Sequence, residues 1–200
     1  ALITNMDSPL GSAVGNSLEV IESVEILKGK TSGNLWTVCR ELSCRMLMLA
    51  GIGDKDECGR LVDEAVESGE ALMRFEMMVK LQGGDVSYIE DTSKFRKASF
   101  SREVYAPADG YITHMDSEKI GLTAVLLGAG REKKDDDINH AAGIIIAAKT
   151  GDFVKRGELL ATLFADDESR LDGAESRYLF AVSIGDKKPA EQPMILDYID

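Results

Sequence analysis

Two histidines, three cysteines, four prolines and one tryptophan occur in 200 residues, and aromatic side chains make up 6% of them. The scarcity of imidazole and thiol excludes much chemistry. Neither His114 nor His140 is spaced with a carboxylate or cysteine partner in a way that compels a metal, and no deaminase-type zinc motif occurs. Cys39, Cys44 and Cys58 are odd in number and lack ligand spacing, which predicts reduced, mostly buried thiols and not a disulfide framework. Positive charge is also short: 23 basic residues stand against 35 acidic ones, for a net charge of −12. That balance argues against a nucleic-acid or anionic-membrane surface. It also suits unaided phosphate binding badly. No apolar run is long enough to span a bilayer, and no stretch reads as a signal peptide. A serine nucleophile elbow and a paired-carboxylate signature are absent as well. What remains is a globular composition, 44% hydrophobic and 29% charged, long enough to bury about 70% of its unfolded surface in one large or two small domains.

The chain is organised around Asp7-Ser8-Pro9-Leu10-Gly11-Ser12-Ala13-Val14-Gly15-Asn16-Ser17-Leu18-Glu19-Val20-Ile21-Glu22. A short apolar strand, Leu2-Ile3-Thr4, leads into it. Asn16 followed by Glu19 reads as a capping box that starts a helix at about Ser17, with Gly29 just past its end. The segment from Pro9 to Gly15 is then irregular, with carbonyls turned away from any ladder and in need of partners. Glu22 lies one helical turn from Leu18 and from Ile26, so its carboxylate has apolar neighbours. Loop carbonyls with one carboxylate make a hard oxygen set suited to a cation; the plainer reading is a strand-loop-helix joint with Glu22 in water.

Downstream the period is helical to about Leu81. Ser17 to Lys28 carries Val20, Ile21, Val24 and Leu27 on one face. A second helix places Leu35, Val38, Cys39, Leu42, Met46, Leu49 and Ala50 at helical spacing and ends at Gly51, with Trp36 off that stripe. A third begins near Asp54, and Ser68-Gly69 separates it from a fourth containing Ala71, Leu72, Phe75, Met78 and Leu81. Met73, Met77 and Met78 read as adaptable core filling. Residues 85–97 read as a polar linker. Beyond them the pattern is strand-like: Phe100 to Tyr105, a turn at Ala106-Pro107-Ala108-Asp109-Gly110, Tyr111 to Thr113, then a short helix capped by Ser117 and ending in Gly128-Ala129-Gly130. Residues 132–137 read as a solvated loop. Strands follow at 143–148, 159–164 and 179–182, with a helix over 166–177. The fold class is α+β, with domains at 1–90 and 98–200.

ALITNMDSPLGSAVGNSLEVIESVEILKG resembles the strand-loop-helix segment of the pyrimidine nucleoside phosphorylase and thymidine phosphorylase family. Gln82-Gly83-Gly84-Asp85, Tyr105-Ala106-Pro107-Ala108-Asp109-Gly110-Tyr111, Leu127-Gly128-Ala129-Gly130-Arg131, and Gly143-Ile144-Ile145 through Lys149-Thr150-Gly151-Asp152 follow in the family's order. The resemblance covers essentially the whole chain but only the C-terminal half of the family's sequence. It implies the helical remainder of an α/β domain followed by a small β-rich domain of barrel-sandwich-hybrid or α/β-hammerhead type. It further implies a cytoplasmic, homodimeric glycosyltransferase of pyrimidine salvage, with pyrimidine nucleoside and phosphate as substrates. The phosphate loop and the base-holding Arg, Ser and Lys belong to the family's N-terminal part, and no KHSTGG-like or SGRGLGHTGG-like run occurs here. No catalytic or substrate-binding residue is therefore expected in this chain. Bacterial members join their halves through a potassium ion. Carried over by motif, its ligands here are the backbone oxygens of Leu10 and Ala13 and the side chain of Glu22. The apolar first residues, with no turn before them, fit a piece of a longer protein.

Gly128-x-Gly130-Arg131 looks like a phosphate-loop fragment but follows a helix, so it reads better as a turn whose arginine meets an acid. Asp135-Asp136-Asp137 reads as a hydrated acidic run. A rival resemblance is to biotinyl and lipoyl carrier domains, through Tyr105 to Ile112 and Gly151-Asp152 to Gly157-Glu158. The lysine signature of those domains is missing, so a non-catalytic carrier-like module stands as the alternative.

Overall fold

The computed structural model describes residues 1–131 and 133–199. Glu132, placed by sequence in a solvated loop, lies outside the described residues. The chain is α+β and divides into two compact units. One comprises 1–5, 21–94 and 193–200; the other comprises 6–20 and 95–192. The sequence expectation put 6–20 with the helices and 193–200 with the strands. Strand pairing accounts for both differences. Strand β2 (Ala13–Val14) pairs with β5 (Gly143–Ile146), whereas β1 (Leu2–Thr4) pairs with β9 (Ile195–Tyr198), a strand the polar tail did not announce.

The β-rich unit holds the larger core. Its four-stranded antiparallel sheet has the order β2-β5-β7-β3, with β3 at Phe100–Tyr105 and β7 at Leu159–Ala165. A three-stranded sheet has the order β6-β4-β8, with β4 at Gly110–Met115, β6 at Phe153–Val154 and β8 at Val182–Gly185. Helices α6 (Ser117–Ala124) and α7 (Ser169–Ala181) join their apolar faces to the same core, which includes Ile112, Ile120, Leu127, Ile144, Leu163, Leu171 and Tyr178. Two sheets and two helices each bury one face here, which is how a small domain closes a core. Asp116, and not Ser117, caps α6, accepting a hydrogen bond from the Lys119 amide. Helix α7 runs on to Ala181, so the strand expected at 179–182 begins only at Val182.

The helical unit is packed differently. Helix α1 (Asn16–Leu27) crosses the division of the chain after Val20. Helices α2 (Gly33–Leu49), α3 (Lys55–Glu67) and α4 (Glu70–Leu81) follow, and Asp54 caps α3 through the Glu57 amide. The segment read as a linker contains a helical turn, α5 (Ser87–Glu90), and a 3₁₀ turn over Thr92–Lys94, with Ile89 buried. Helix α2 buries Val38 of the stripe its periodicity marks, but otherwise Glu41 and Cys44, which lie off it. On that stripe Met46 is 69% and Leu49 89% exposed, and α4 buries no residue fully. Met73, Met77 and Met78, expected as core filling, are also exposed. Strand β1 is half-buried and not buried outright. Glu41 is held by Arg45 at 2.9 Å and Lys55 at 3.7 Å, and the Arg45 guanidinium lies over the Tyr198 ring of β9, 4.3 Å from its centroid. A buried carboxylate needs such partners.

Candidate functional site

The opening loop, residues 7–15, belongs with the β-rich unit because its backbone runs antiparallel to the strand and turn at 144–150. Val14 pairs with Ile144 and Ala13 with Ile145, and the Ser12 carbonyl accepts from the Ile146 amide at 2.7 Å. Two residues further out the regular ladder stops, since the bends around Pro9 and Gly11 turn the carbonyls aside. There the side chains of the facing turn take over. The Lys149 ammonium donates to the Leu10 carbonyl at 3.3 Å, and the Ser8 and Thr150 hydroxyls meet at 3.0 Å.

Two glycines make this approach possible. A Cβ on Gly143 falls 2.3 Å from the Val14 carbonyl oxygen, and one on Gly15 falls 2.5 Å from that of Ala142. Both have positive φ, 150° and 142°, where an L side chain is strained in any case. The helix start behind the loop is tied to the same unit. The Ser17 amide donates to His140 O at 3.0 Å, and the Asn16 side-chain amide donates to Ala129 O at 2.8 Å. The capping box is thus shifted from the expected register: Glu19 Oε1 accepts from the Gly15 amide at 2.9 Å, which leaves Asn16 free to reach Ala129.

Of the three residues proposed as cation ligands, Leu10 and Ala13 are brought together on this loop. Leu10 sits in a bend outside the strands, and Ala13 is buried in β2. Glu22 is half-buried on α1, beyond the point where the chain passes to the helical unit. The Leu10 carbonyl fits a monovalent cation on a direct observation, since it already accepts from an ammonium group. Among the described residues no cluster of three or more His, Cys, Asp or Glu is arranged to hold a metal, so a cation here depends on carbonyl oxygens.

The other candidates resolve as structural. His114 and His140 are exposed, and the His140 carbonyl serves the helix start. The glycine-rich stretch is not the plain turn expected: Gly128 and Ala129 end a π-helical turn, Val125–Ala129, in which Gly128 has φ 109°, and Gly128 O accepts from the Asn139 backbone amide at 2.9 Å. Among the described residues Arg131 has no acidic partner. Asp136 closes its own turn on the Lys133 amide at 2.8 Å.

Sequence reasoning passed over a polar knot centred on Asp166. Its carboxylate accepts from the Ser99 amide at 2.8 Å, from Asn139 at 2.9 Å and from Arg96 at 2.7 Å. The Ser99 amide first, and then Arg96, hold this carboxyl below its ordinary range. The knot borders a cleft of about 340 Å³ lined also by Asp137, Asp167 and Arg170. In sequence Lys149 stands only within a family motif; with its partner 139 residues away, no local pattern pairs it with Leu10. In the helical unit an apolar groove of about 740 Å³ is lined by Leu35, Trp36, Met46, Leu61, Phe75 and their neighbours. No described helix is long and apolar enough to cross a membrane.

Comparison with known proteins places these features. Residues 111–185 match the family model of the pyrimidine nucleoside phosphorylase C-terminal domain. The chain is 40% identical over 170 residues to a pyrimidine-nucleoside phosphorylase of Bacillus subtilis, covering 84% of this chain and 39% of the relative. It is 36% identical over 179 residues to one of Geobacillus stearothermophilus, covering 89% and 41%. A Staphylococcus aureus pyrimidine-nucleoside phosphorylase is 36% identical over 187 residues, covering 93% and 43%. The chain spans about two fifths of the length of these relatives. The carrier-module alternative finds no support in these matches.

Proposed function

We propose that this chain, related along most of its length to the pyrimidine nucleoside phosphorylases, forms the C-terminal portion of such an enzyme and supplies its scaffold, not its reacting groups. The observation that carries this is 36–40% identity to pyrimidine-nucleoside phosphorylases over 84–93% of the chain. In the whole protein a phosphate oxygen replaces the base nitrogen at the anomeric carbon of a pyrimidine nucleoside. The carbon–nitrogen bond breaks with its electron pair on the base, and pentose 1-phosphate forms. Such a step depends on phosphate held beneath that carbon and on charge stabilised on the leaving base. Both tasks belong to residues outside this chain. Leu10 and Ala13, through backbone oxygens, and Glu22, through its carboxylate, would hold a potassium ion, which supplies fixed positive charge and geometry at the phosphate loop. The groove along Trp36, Met46 and Phe75 and the exposed stripe on α2 fit a face that the remaining three fifths of a relative-length protein covers. A cytoplasmic homodimer, joined through helices outside this chain, completes the reading.

The test compares the 200-residue chain with the longer protein from the same gene. Phosphate-dependent release of uracil or thymine is expected from the longer protein and absent from the pure chain. A longer protein inactive on both nucleosides, or a chain active alone, overturns the reading.

A further inference from the structure

We propose that the Lys149 side chain is a tethered monovalent cation that occupies the Leu10 carbonyl whenever no free cation does, so that the opening loop keeps its ligand-presenting form without a metal. The inference rests on the cation reading given above for Leu10. It starts from how the loop is held. Contacts run in antiparallel order from Val14–Ile144 through Ala13–Ile145 and Ser12–Ile146 to Leu10–Lys149 and Ser8–Thr150. The inner three belong to main-chain pairing. At Leu10 the pairing is with an ammonium group instead.

The lysine is mounted on a fixed turn. Its own amide donates to Asp152 Oδ2 at 2.8 Å, the Asp152 amide returns to the Lys149 carbonyl at 3.0 Å, and the Gly151 amide donates to Ile112 O at 2.8 Å. The side chain is half-buried, so its charge is partly removed from water where it meets the carbonyl. An ammonium group and a potassium ion share charge and near-equal size, and a carbonyl oxygen serves either. Tethering gives the ammonium a high effective concentration at that oxygen. In a protein of net charge −12 a lysine is not needed there for solubility. Its position on the carbonyl of Leu10, one of the proposed ligands, is the informative fact.

The experiment uses the longer protein, with hydrogen exchange followed on peptides spanning residues 7–14 and, as an internal control, 159–165. Potassium chloride is compared with choline chloride at equal ionic strength. In the wild type the loop is expected to be equally protected in both salts, within about twofold. Lys149→Met keeps the length without the charge, and its loop should exchange about tenfold faster in choline, the scale of one charge-assisted hydrogen bond, and recover in potassium. Lys149→Arg should behave as wild type. Equal loss in both salts would make Lys149 a structural peg and overturn the proposal. So would an unaffected loop in Lys149→Met, or a wild-type loop that itself opens in choline. Potassium dependence of wild-type phosphorolysis reads the cation site separately. Potassium-dependent turnover with a potassium-indifferent Lys149→Met loop overturns the tethered lysine alone, whereas potassium-indifferent turnover removes the cation reading and the proposal with it.

Discussion

Replacing Gly143 with alanine should unseat the opening loop, and the structure sets the size of the effect. The added Cβ meets Val14 O at 2.3 Å, Leu18 Cδ1 at 2.9 Å and Gly15 Cα at 3.1 Å. Two of these are backbone atoms, so no flexible side chain can yield to all of them. At φ 150° the residue also occupies a region that only glycine visits readily, a strain of about 1–3 kcal/mol. Overpacking adds about 1–3 kcal/mol more, and a loss of about 3 kcal/mol in all is expected. With a urea dependence of about 2 kcal/mol per molar, the unfolding midpoint of the β-rich unit should fall by about 1.5 M. Gly121→Ala is the matched control in the same unit. It lies inside α6 with nothing within 4 Å of the new methyl, so relief of backbone entropy should raise stability by about 0.5–1 kcal/mol. The assay is urea unfolding followed by circular dichroism, with hydrogen exchange of residues 10–15 as the local readout. The reasoning fails if Gly143→Ala shifts the midpoint by less than about 0.3 M, or if both alanines shift it in the same direction.

Tyr178 is fully buried and its hydroxyl has no partner among the described residues; Tyr178→Phe should therefore stabilise by about 1 kcal/mol, seen in calorimetry as a rise of about 2–4 °C. Asp166 is held below the ordinary carboxyl range. The stability it contributes is complete above the unfolded value of about 4 and is lost as pH falls through the folded one. Asp166→Asn should lower the urea midpoint at neutral pH and flatten its decline below about pH 4; an unchanged acid limb would refute this. In the longer protein, Glu22→Gln should keep α1, because glutamine is a comparable helix former, while weakening potassium dependence and phosphate affinity; wild-type values for both would return Glu22 to the surface of a plain helix.

What the sequence made legible was mostly local. The start of α3 after Asp54, the break at Gly69 and the end of α2 before Gly51 each depend on a few consecutive residues, and each stands where the pattern put it. The capping box missed by one residue: α1 already includes Asn16, whose side-chain NH2 donates to Ala129 O, 113 positions away, and the Glu19 carboxylate takes the Gly15 amide instead. Periodicity found the apolar stripe of Leu42, Met46 and Leu49 but not its fate. A stripe states that a face avoids water and leaves open which polypeptide covers it, and here the described residues do not. Strand β9 escaped notice because its residues are mostly exposed and its pairing with β1 is remote. For the site, family motifs pointed to Leu10, Ala13 and Glu22, whereas the lysine that meets Leu10 is a fact of tertiary placement.

The pairing of β1 with β9 has a kinetic side. Ala1 and Ile199 are bonded across 198 residues, and closing a loop that long costs about 5 kcal/mol in chain entropy before any contact repays it. The β-rich unit draws most of its pairings from within residues 100–185 and can order first. Its ordering shortens the slack that the two remote strands must still gather in. The small two-stranded sheet, with Tyr198 beneath the Arg45 guanidinium, is therefore the clasp that fastens last in folding and the first to spring open under denaturant.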